Sequence, residues 1–471
     1  MQTKRPFWKR SLFSSLFVLI LLWTTTVEIA DATPTAGGGQ AQTEKGGFYW
    51  LPNDPEKVDE ITQIFKEGQS IEELGLKPGK IQKRKGFKSL EEMRAADEKS
   101  TATYDANPGA PEMTTQGWQP PRFEYDYIRS VDECINNPAS NTEEGWIKNH
   151  YAYCWTDIAT YQIPRRCFLG ICFYDGVQIR FTVLGYGSNH DRKARFTYFI
   201  DDILVTNPRL NGAKLKVDLL CEPKVNPGDC KPNPITPAEE RTIAEWRNQH
   251  VGYKDFLSDA PDATDFNPDR IGYMEFWPQL TIKDPPRKFT RTIDGPKQTV
   301  RFDSATYMFA FPDQYFRHGA IFSKTNAVLN VPINDPQFSV LREAGEHWKH
   351  AMENPEETKP TVLGKKIPGA LGDRPLTRMY TRRHPDEYAA NRNKTRATCD
   401  REFRDEDRTG KQCDEFPFAS TWEGSSTNGM DWFSVKLISK EANEAAGSWL
   451  GSWYAYDRIL DGDYFYVRVR E

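Results

Sequence analysis

Apolar and polar positions change rhythm along this chain, and the changes mark its parts. Between residues 54 and 99, Val58, Ile61, Ile64 and Phe65 recur at helical spacing, while Gly and Pro break the stretch into short helices. From about 121 to 333 the rhythm becomes alternation. Val177, Ile179, Phe181 and Val183 alternate with Gln178, Arg180 and Thr182, and Leu215, Val217 and Leu219 alternate with Lys216 and Asp218. Residues 195–206 form a β-branched and aromatic run, and Val300, Phe302, Tyr307, Phe309 and Phe311 continue the theme. Turn clusters such as Asn226-Pro-Gly-Asp229 separate these runs. Repeated short strands of this kind predict an antiparallel sandwich, with a helical insert over about 237–250.

The last third returns to helical spacing. Leu341, Ala344, Trp348 and Met352 share one face of a predicted helix over 338–354. An irregular basic stretch follows over 361–398. Next come a short strand at Cys413, a Gly/Ser/Asn loop over 424–429, a strand over 431–438 and a helix over 440–455. Ser439 is placed as its N-cap and Glu441 suits its dipole. A last strand over 464–469 follows the turn Asp461-Gly-Asp463. The order strand, loop, strand, helix is a compact frame for a metal site, by fold-level analogy with ββα-metal proteins.

Length and charge refine this picture. A chain of 471 residues exceeds one ordinary core. Its net charge of -5 gives no overall nucleic-acid signal, so any such contact must be local. Lys4, Arg5, Lys9 and Arg10 precede an apolar run from Leu12 to Trp23, and Ala30-Asp31-Ala32 fits a cleavage site. Export is expected, with Thr33 opening the mature chain and no stable membrane insertion after cleavage. The expected parts are a signal peptide over 1–32, a leader with short helices and a linker over 33–120, a β-rich accessory domain over 121–335 and a C-terminal domain over 336–471. Eight cysteines agree with an oxidising compartment. Neighbour pairing would join Cys134 to Cys154, Cys167 to Cys172, Cys221 to Cys230 and Cys399 to Cys413. Spacing alone does not fix the pairing, least of all among the first four. No C-x2-C pair exists, which disfavours zinc.

The chemistry concentrates between Cys413 and Gly424. Asp414 and Glu415 are adjacent on the short strand, and Glu423 follows at the lip of the loop. Carboxylates gathered this closely suit a hard divalent cation, Mg2+ or Mn2+, and can supply a water-activating base. The helix offers Asn443 on its first turns, so Glu423, Asn443 and phosphate oxygens could share one ion. No histidine lies between Cys413 and Glu471. The base is therefore expected at Asp414 or Glu415, unless His384 folds in from outside. Of the arginines over 374–408, Arg382, Arg383 and Arg392 are the best candidates for holding a phosphate backbone. His347 and His350 lie three apart on the predicted helix, but Trp348 between them points to packing. Ser448 lies in no G-x-S-x-G frame.

Asp414-Glu415-Phe416-Pro417, Ala419, Glu423-Gly424, then Asn443, Gly447-Ser448 and Gly451 together resemble the signature of the NucA/NucB family of secreted deoxyribonucleases. Asn391-Arg392 and Cys399 look like the run found upstream in larger members. The strong resemblance covers 413–471 and a weaker one reaches back to about 336. Phe416 stands where the family usually has Tyr or Trp. The resemblance implies a secreted, metal-dependent endonuclease without sequence preference. It implies a catalytic role for Asp414, with Glu423 and Asn443 near the metal; Glu415 stays open between metal ligand and structural acid. The expected fold class is α+β, an N-terminal antiparallel, sandwich-like β domain followed by a small ββα-metal-like nuclease domain. The partner is extracellular DNA, and the β-rich domain could hold an unknown ligand. The alternatives are a non-enzymatic, adhesin-like surface binder with a degenerate nuclease domain, and a nuclease acting mainly on RNA.

Overall fold

Two curled antiparallel sheets form most of the middle of the chain. The computed structural model describes residues 46–470, apart from 53, 80–89, 115–116, 170, 233–237, 260–263, 265–266 and 311–313. The expected signal peptide and most of the leader lie outside the described residues. The first sheet runs in the order Gly47–Trp50, Ala152–Phe168, Ile171–Tyr186, Lys193–Val205, Val251–Leu257 and Lys231–Pro232. The second runs Glu239–Thr242, Lys214–Pro223, Gly272–Asp284, Gln298–Asp303 and Gly319–Ile321. Their facing side chains form one core, with Trp155, Phe181, Phe196, Val217, Leu280 and Phe302 all buried. The alternation at Val177, Ile179, Phe181 and Val183 therefore marks an inward face. The helical insert is short, Ile243–Asn248, and opens on a capping box between Thr242 and Glu245.

A five-stranded mixed sheet supports the C-terminal part. Its order is Leu376–Thr377, Tyr464–Arg470, Asn326–Pro332, Thr103–Pro108 and Phe123–Glu124. The three central strands are parallel to one another. Polar residues 100–120, read as a linker, thus supply a strand, because Tyr104 and Ala106 turn inward between polar neighbours. Asn326–Pro332, upstream of the boundary drawn at 335, pairs with the final strand of the chain.

The elements around the signature follow closely on the expected ones. Lys411–Phe416 pairs antiparallel with Ser434–Ser439, and a helix runs Lys440–Tyr456. The Ser439 side chain accepts the amide hydrogen of Ala442, as an N-cap does. A short 3-10 turn, Pro336–Leu341, leads into the helix Arg342–Glu353. The basic stretch is more ordered than expected: Pro385–Glu402 is an 18-residue helix. Its buried face is Asn391, Thr395, Thr398 and Cys399, so no apolar periodicity announced it.

All four neighbour pairings of cysteines occur: Cys134–Cys154, Cys167–Cys172, Cys221–Cys230 and Cys399–Cys413. The last ties the signature strand to the Pro385–Glu402 helix one residue before Asp414. Closing that 14-residue separation restricts the unfolded chain by ~3 kcal/mol in the loop-entropy account. Among the described residues no helix is long and apolar enough to cross a membrane.

Candidate active site

A cavity of about 340 Å³ lies where the signature hairpin meets three helices. Lys411–Phe416 pairs on one side only, with Ser434–Ser439. Successive side chains of a strand point to opposite faces. Asp414 and Glu415 nevertheless both border the cavity, one from each face of the hairpin. Both are buried.

Asp414 is held by the helix Arg342–Glu353. His347 Nδ1 lies 2.6 Å from Asp414 Oδ2, and Trp348 Nε1 donates to the same oxygen at 3.1 Å. With a carboxylate as acceptor, His347 carries its proton on Nδ1. Its Nε2 then meets the Ser434 hydroxyl at 2.7 Å, on the partner strand of the hairpin. Both ring nitrogens are thereby engaged, and His347 is buried outside the cavity lining. It positions the aspartate. Two donors on Oδ2 leave Oδ1 as the oxygen free to act.

Glu415 faces the other helix. Arg392 Nη1 donates to its two oxygens at 3.2 and 3.3 Å. Burial pushes the Glu415 carboxyl up to about 7; Arg392 opposes the shift and Asp414 adds to it. Arg392 in turn is held protonated by Glu415. Asn443 reaches the cavity from the Lys440–Tyr456 helix, donating its amide hydrogen to Gln412 at 2.7 Å. That bond aims the amide and leaves its carbonyl oxygen as an acceptor. Gly447 and Gly451 stand one and two turns on, and a Cβ on either would meet nothing within 4 Å. The helix therefore presents an open, carboxylate-free wall made of Asn443, Ala446, Gly447, Leu450 and Gly451.

These elements coincide with a known domain. Residues 371–468 match the family described as deoxyribonuclease NucA/NucB. The C-terminal region is a NucA/NucB domain. Its function is, in general terms, that of a deoxyribonuclease, with DNA as substrate. No curated protein and no solved structure compared with the chain matches it.

The NucA/NucB domain does not bring every expected residue to the cavity. Asp414, Glu415, Asn443 and Arg392 all border it. Glu423 does not. Its Oε2 accepts from the Thr377 amide at 2.8 Å and its Oε1 from the Thr377 hydroxyl at 2.9 Å. It thereby fixes the strand Leu376–Thr377, from which Arg378 and Tyr380 run on into the cavity wall. The structure thus places Glu423, expected near the metal, outside the lining that Asp414, Glu415 and Asn443 share, with each oxygen accepting a hydrogen bond from Thr377. Burial raises its carboxyl above the usual range.

Arg383 is likewise spoken for, pairing with Asp461 at 2.6 Å and Asp269 at 3.0 Å. Arg382 is exposed and outside the cavity lining. His384 turns to Asp461 at 3.1 Å and to the Trp422 ring, away from Asp414. Arg378, not singled out from the sequence, does line the cavity, wedged against the Tyr307 and Tyr454 rings.

Asn391 also went unrecognised as an organiser. Its Oδ1 accepts from the amides of Ser426 and Thr427, and its Nδ2 donates to the carbonyl of Ala419. A Cβ at Gly424 would lie 2.3 Å from that Nδ2, so the glycine after Glu423 is required by close approach.

A divalent ion can be tested against this donor set. Among the described residues no group of three His, Cys, Asp or Glu side chains is placed to share an ion. Magnesium is commonly held by one or two carboxylates, with water and substrate phosphate completing its octahedron. Glu415 and the Asn443 carbonyl, which both border the cavity, fit that sparser kind of site.

Proposed function

We propose that this chain is a secreted, divalent-metal-dependent endonuclease that hydrolyses DNA phosphodiester bonds with little sequence preference. One observation carries the reading: a buried aspartate, fixed through one oxygen by His347 and Trp348, borders a cavity that also holds Arg392. Asp414 takes a proton from water through its unbonded oxygen. The water oxygen attacks phosphorus, the ester oxygen on the opposite side leaves, and solvent returns a proton to it. Arg392 turns from Glu415 toward a non-bridging phosphate oxygen, and Asn443 helps to orient the phosphate. Asn443, with Glu415, would hold one Mg2+ or Mn2+, which would supply charge neutralisation at the phosphoryl oxygens. The four disulfides suit an extracellular setting.

A second reading, a surface-binding protein with a degenerate nuclease domain, is favoured by one feature. The helix wall facing Asp414 contributes an amide and small residues but no carboxylate. Incubating the purified protein with supercoiled plasmid and with RNA, with and without EDTA, separates the readings. Nicking of plasmid that EDTA abolishes and Mg2+ restores supports the nuclease. EDTA-resistant cutting contradicts the metal role, cutting of RNA alone contradicts the substrate, and no cutting of either supports the binder.

A further inference from the structure

The longest hairpin of the β-rich region ends in an unusual tip. Ala152–Phe168 and Ile171–Tyr186 pair along almost their whole length, and the Cys167–Cys172 disulfide closes them at the end. Phe168, Leu169 and Ile171 beyond the disulfide, and Phe173 just below it, are apolar and exposed. Phe168 is 66% exposed, Leu169 88%, Ile171 67% and Phe173 42%. Leu169 adopts a left-handed backbone, with φ of 48°, where glycine or asparagine is the easier residue. A large aliphatic side chain sits at the apex despite the backbone preference against it.

The collar of the tip is basic. Arg165 and Arg166 are exposed just before Cys167. Asp175, on the return strand, is met by Arg165, Arg209 and Arg287. Arg287 also reaches Asp284. Three arginines thus meet Asp175, and Arg166 stands exposed beside Arg165, beneath an uncharged apex. A convex tip of four side chains is too small for a stable protein interface, which buries about 800 Å² on each partner. Apolar residues at the point and arginines one layer below instead match the depth profile of a lipid surface, hydrocarbon within and anionic headgroups above.

We propose that this tip inserts into the outer layer of an anionic lipid bilayer and holds the protein there reversibly. The attachment is peripheral: four side chains enter the interface and the strands stay in water. It is independent of the nuclease reading, because no residue of the tip borders the Asp414 cavity.

The test is flotation with vesicles of phosphatidylcholine alone or with phosphatidylglycerol added. The chain from Glu44 onward, a compact unit in its own right, keeps the apolar N-terminal segment out of the assay. The wild type is expected to float with the anionic vesicles. Combined Phe168→Ser, Leu169→Ser and Ile171→Ser should reduce binding at least about tenfold without lowering Tm, since these side chains are already in water. Combined Arg165→Gln and Arg166→Gln should abolish the preference for anionic over neutral vesicles. As a separate readout, Leu169→Trp should show a blue-shifted emission increment on adding anionic vesicles. A wild type that does not float, a serine variant that floats equally well, or a tryptophan that does not shift would each overturn the proposal.

Discussion

His347 Nδ1 lies 2.6 Å from Asp414 Oδ2, although 67 residues separate the two in sequence. The pair joins the helix Arg342–Glu353 to the signature strand and commits one carboxylate oxygen, leaving the other for chemistry. His347→Ala should therefore lower kcat on plasmid DNA by about tenfold or more while KM changes little, because positioning and not binding is lost. Loss of a buried hydrogen-bond partner should also cost ~1–3 kcal/mol of stability. His347→Asn, which keeps a donor near the Nδ1 position, should recover part of kcat. A kcat unchanged in His347→Ala would show that the bond is structural only.

Gly447 separates space from stability. A Cβ there would meet no atom within 4 Å, and the residue stands on the helix wall of the cavity. Gly447→Phe should raise or preserve Tm, since glycine inside a helix is disfavoured by ~0.5–1 kcal/mol against alanine and phenylalanine lies between them. The same change should cut plasmid cleavage by about tenfold or more by filling the approach to Asp414. Full activity in a stable Gly447→Phe protein would place the substrate elsewhere.

Two arginines nine positions apart should behave differently. Arg392 borders the cavity, whereas Arg383 is locked between Asp269 and Asp461. Arg392→Ala should weaken DNA binding and reduce the slope of log affinity against log salt by about 1. Arg383→Ala should leave that slope alone and lower Tm, because it strands two buried aspartates. Fluorescence anisotropy across a salt series reads the first effect, and thermal melts the second.

Asp457 sets a pH dependence of stability. It follows the signature helix and accepts the Tyr104 hydroxyl hydrogen. Burial pushes its carboxyl up to about 7. The folded protein therefore holds a proton there that the unfolded chain releases near pH 4, and stability from this group falls as pH rises from about 4 to 7. Asp457→Asn removes that loss. The stability of the wild type relative to Asp457→Asn should decline over this window, by on the order of 1–3 kcal/mol, and level off above it. Neighbouring His150, whose pKa burial lowers to about 4, lies 3.9 Å from the Asp457 carboxylate and adds its own titration at the low end of this window. A flat difference between pH 5 and 8 would mean that Asp457 ionises freely in the folded state.

Sequence pattern revealed the sheets because their inward positions are apolar and alternate, as at Val177 to Val183. It revealed the order strand, loop, strand, helix because Gly, Asn and Ser punctuate the signature. It failed where a buried face is polar. Asn391, Thr395 and Thr398 line the hidden side of an 18-residue helix, and no hydrophobic period could announce them. It also failed where a contact spans the chain. His347 reads locally as one face of a packed helix beside Trp348, and only the fold brings both to Asp414. Glu423 shows the converse. An acid within a dense signature resembles a ligand, yet its neighbour in space is Thr377, whose amide and hydroxyl each donate to it, and it stands outside the cavity lining.

The central claim is that Asp414 performs the chemistry, and the most direct measurement is the plasmid-nicking rate of Asp414→Asn against wild type in the presence of Mg2+. Asparagine fills the same space and can still accept from His347 or Trp348 through its amide oxygen, but it cannot take a proton. A loss of 10²-fold or more, ~3 kcal/mol of barrier, in a variant with an unchanged melt is the predicted result. Cleavage within about threefold of wild type would contradict the account, because a mere tenfold is only 1.36 kcal/mol and a general base contributes more than that.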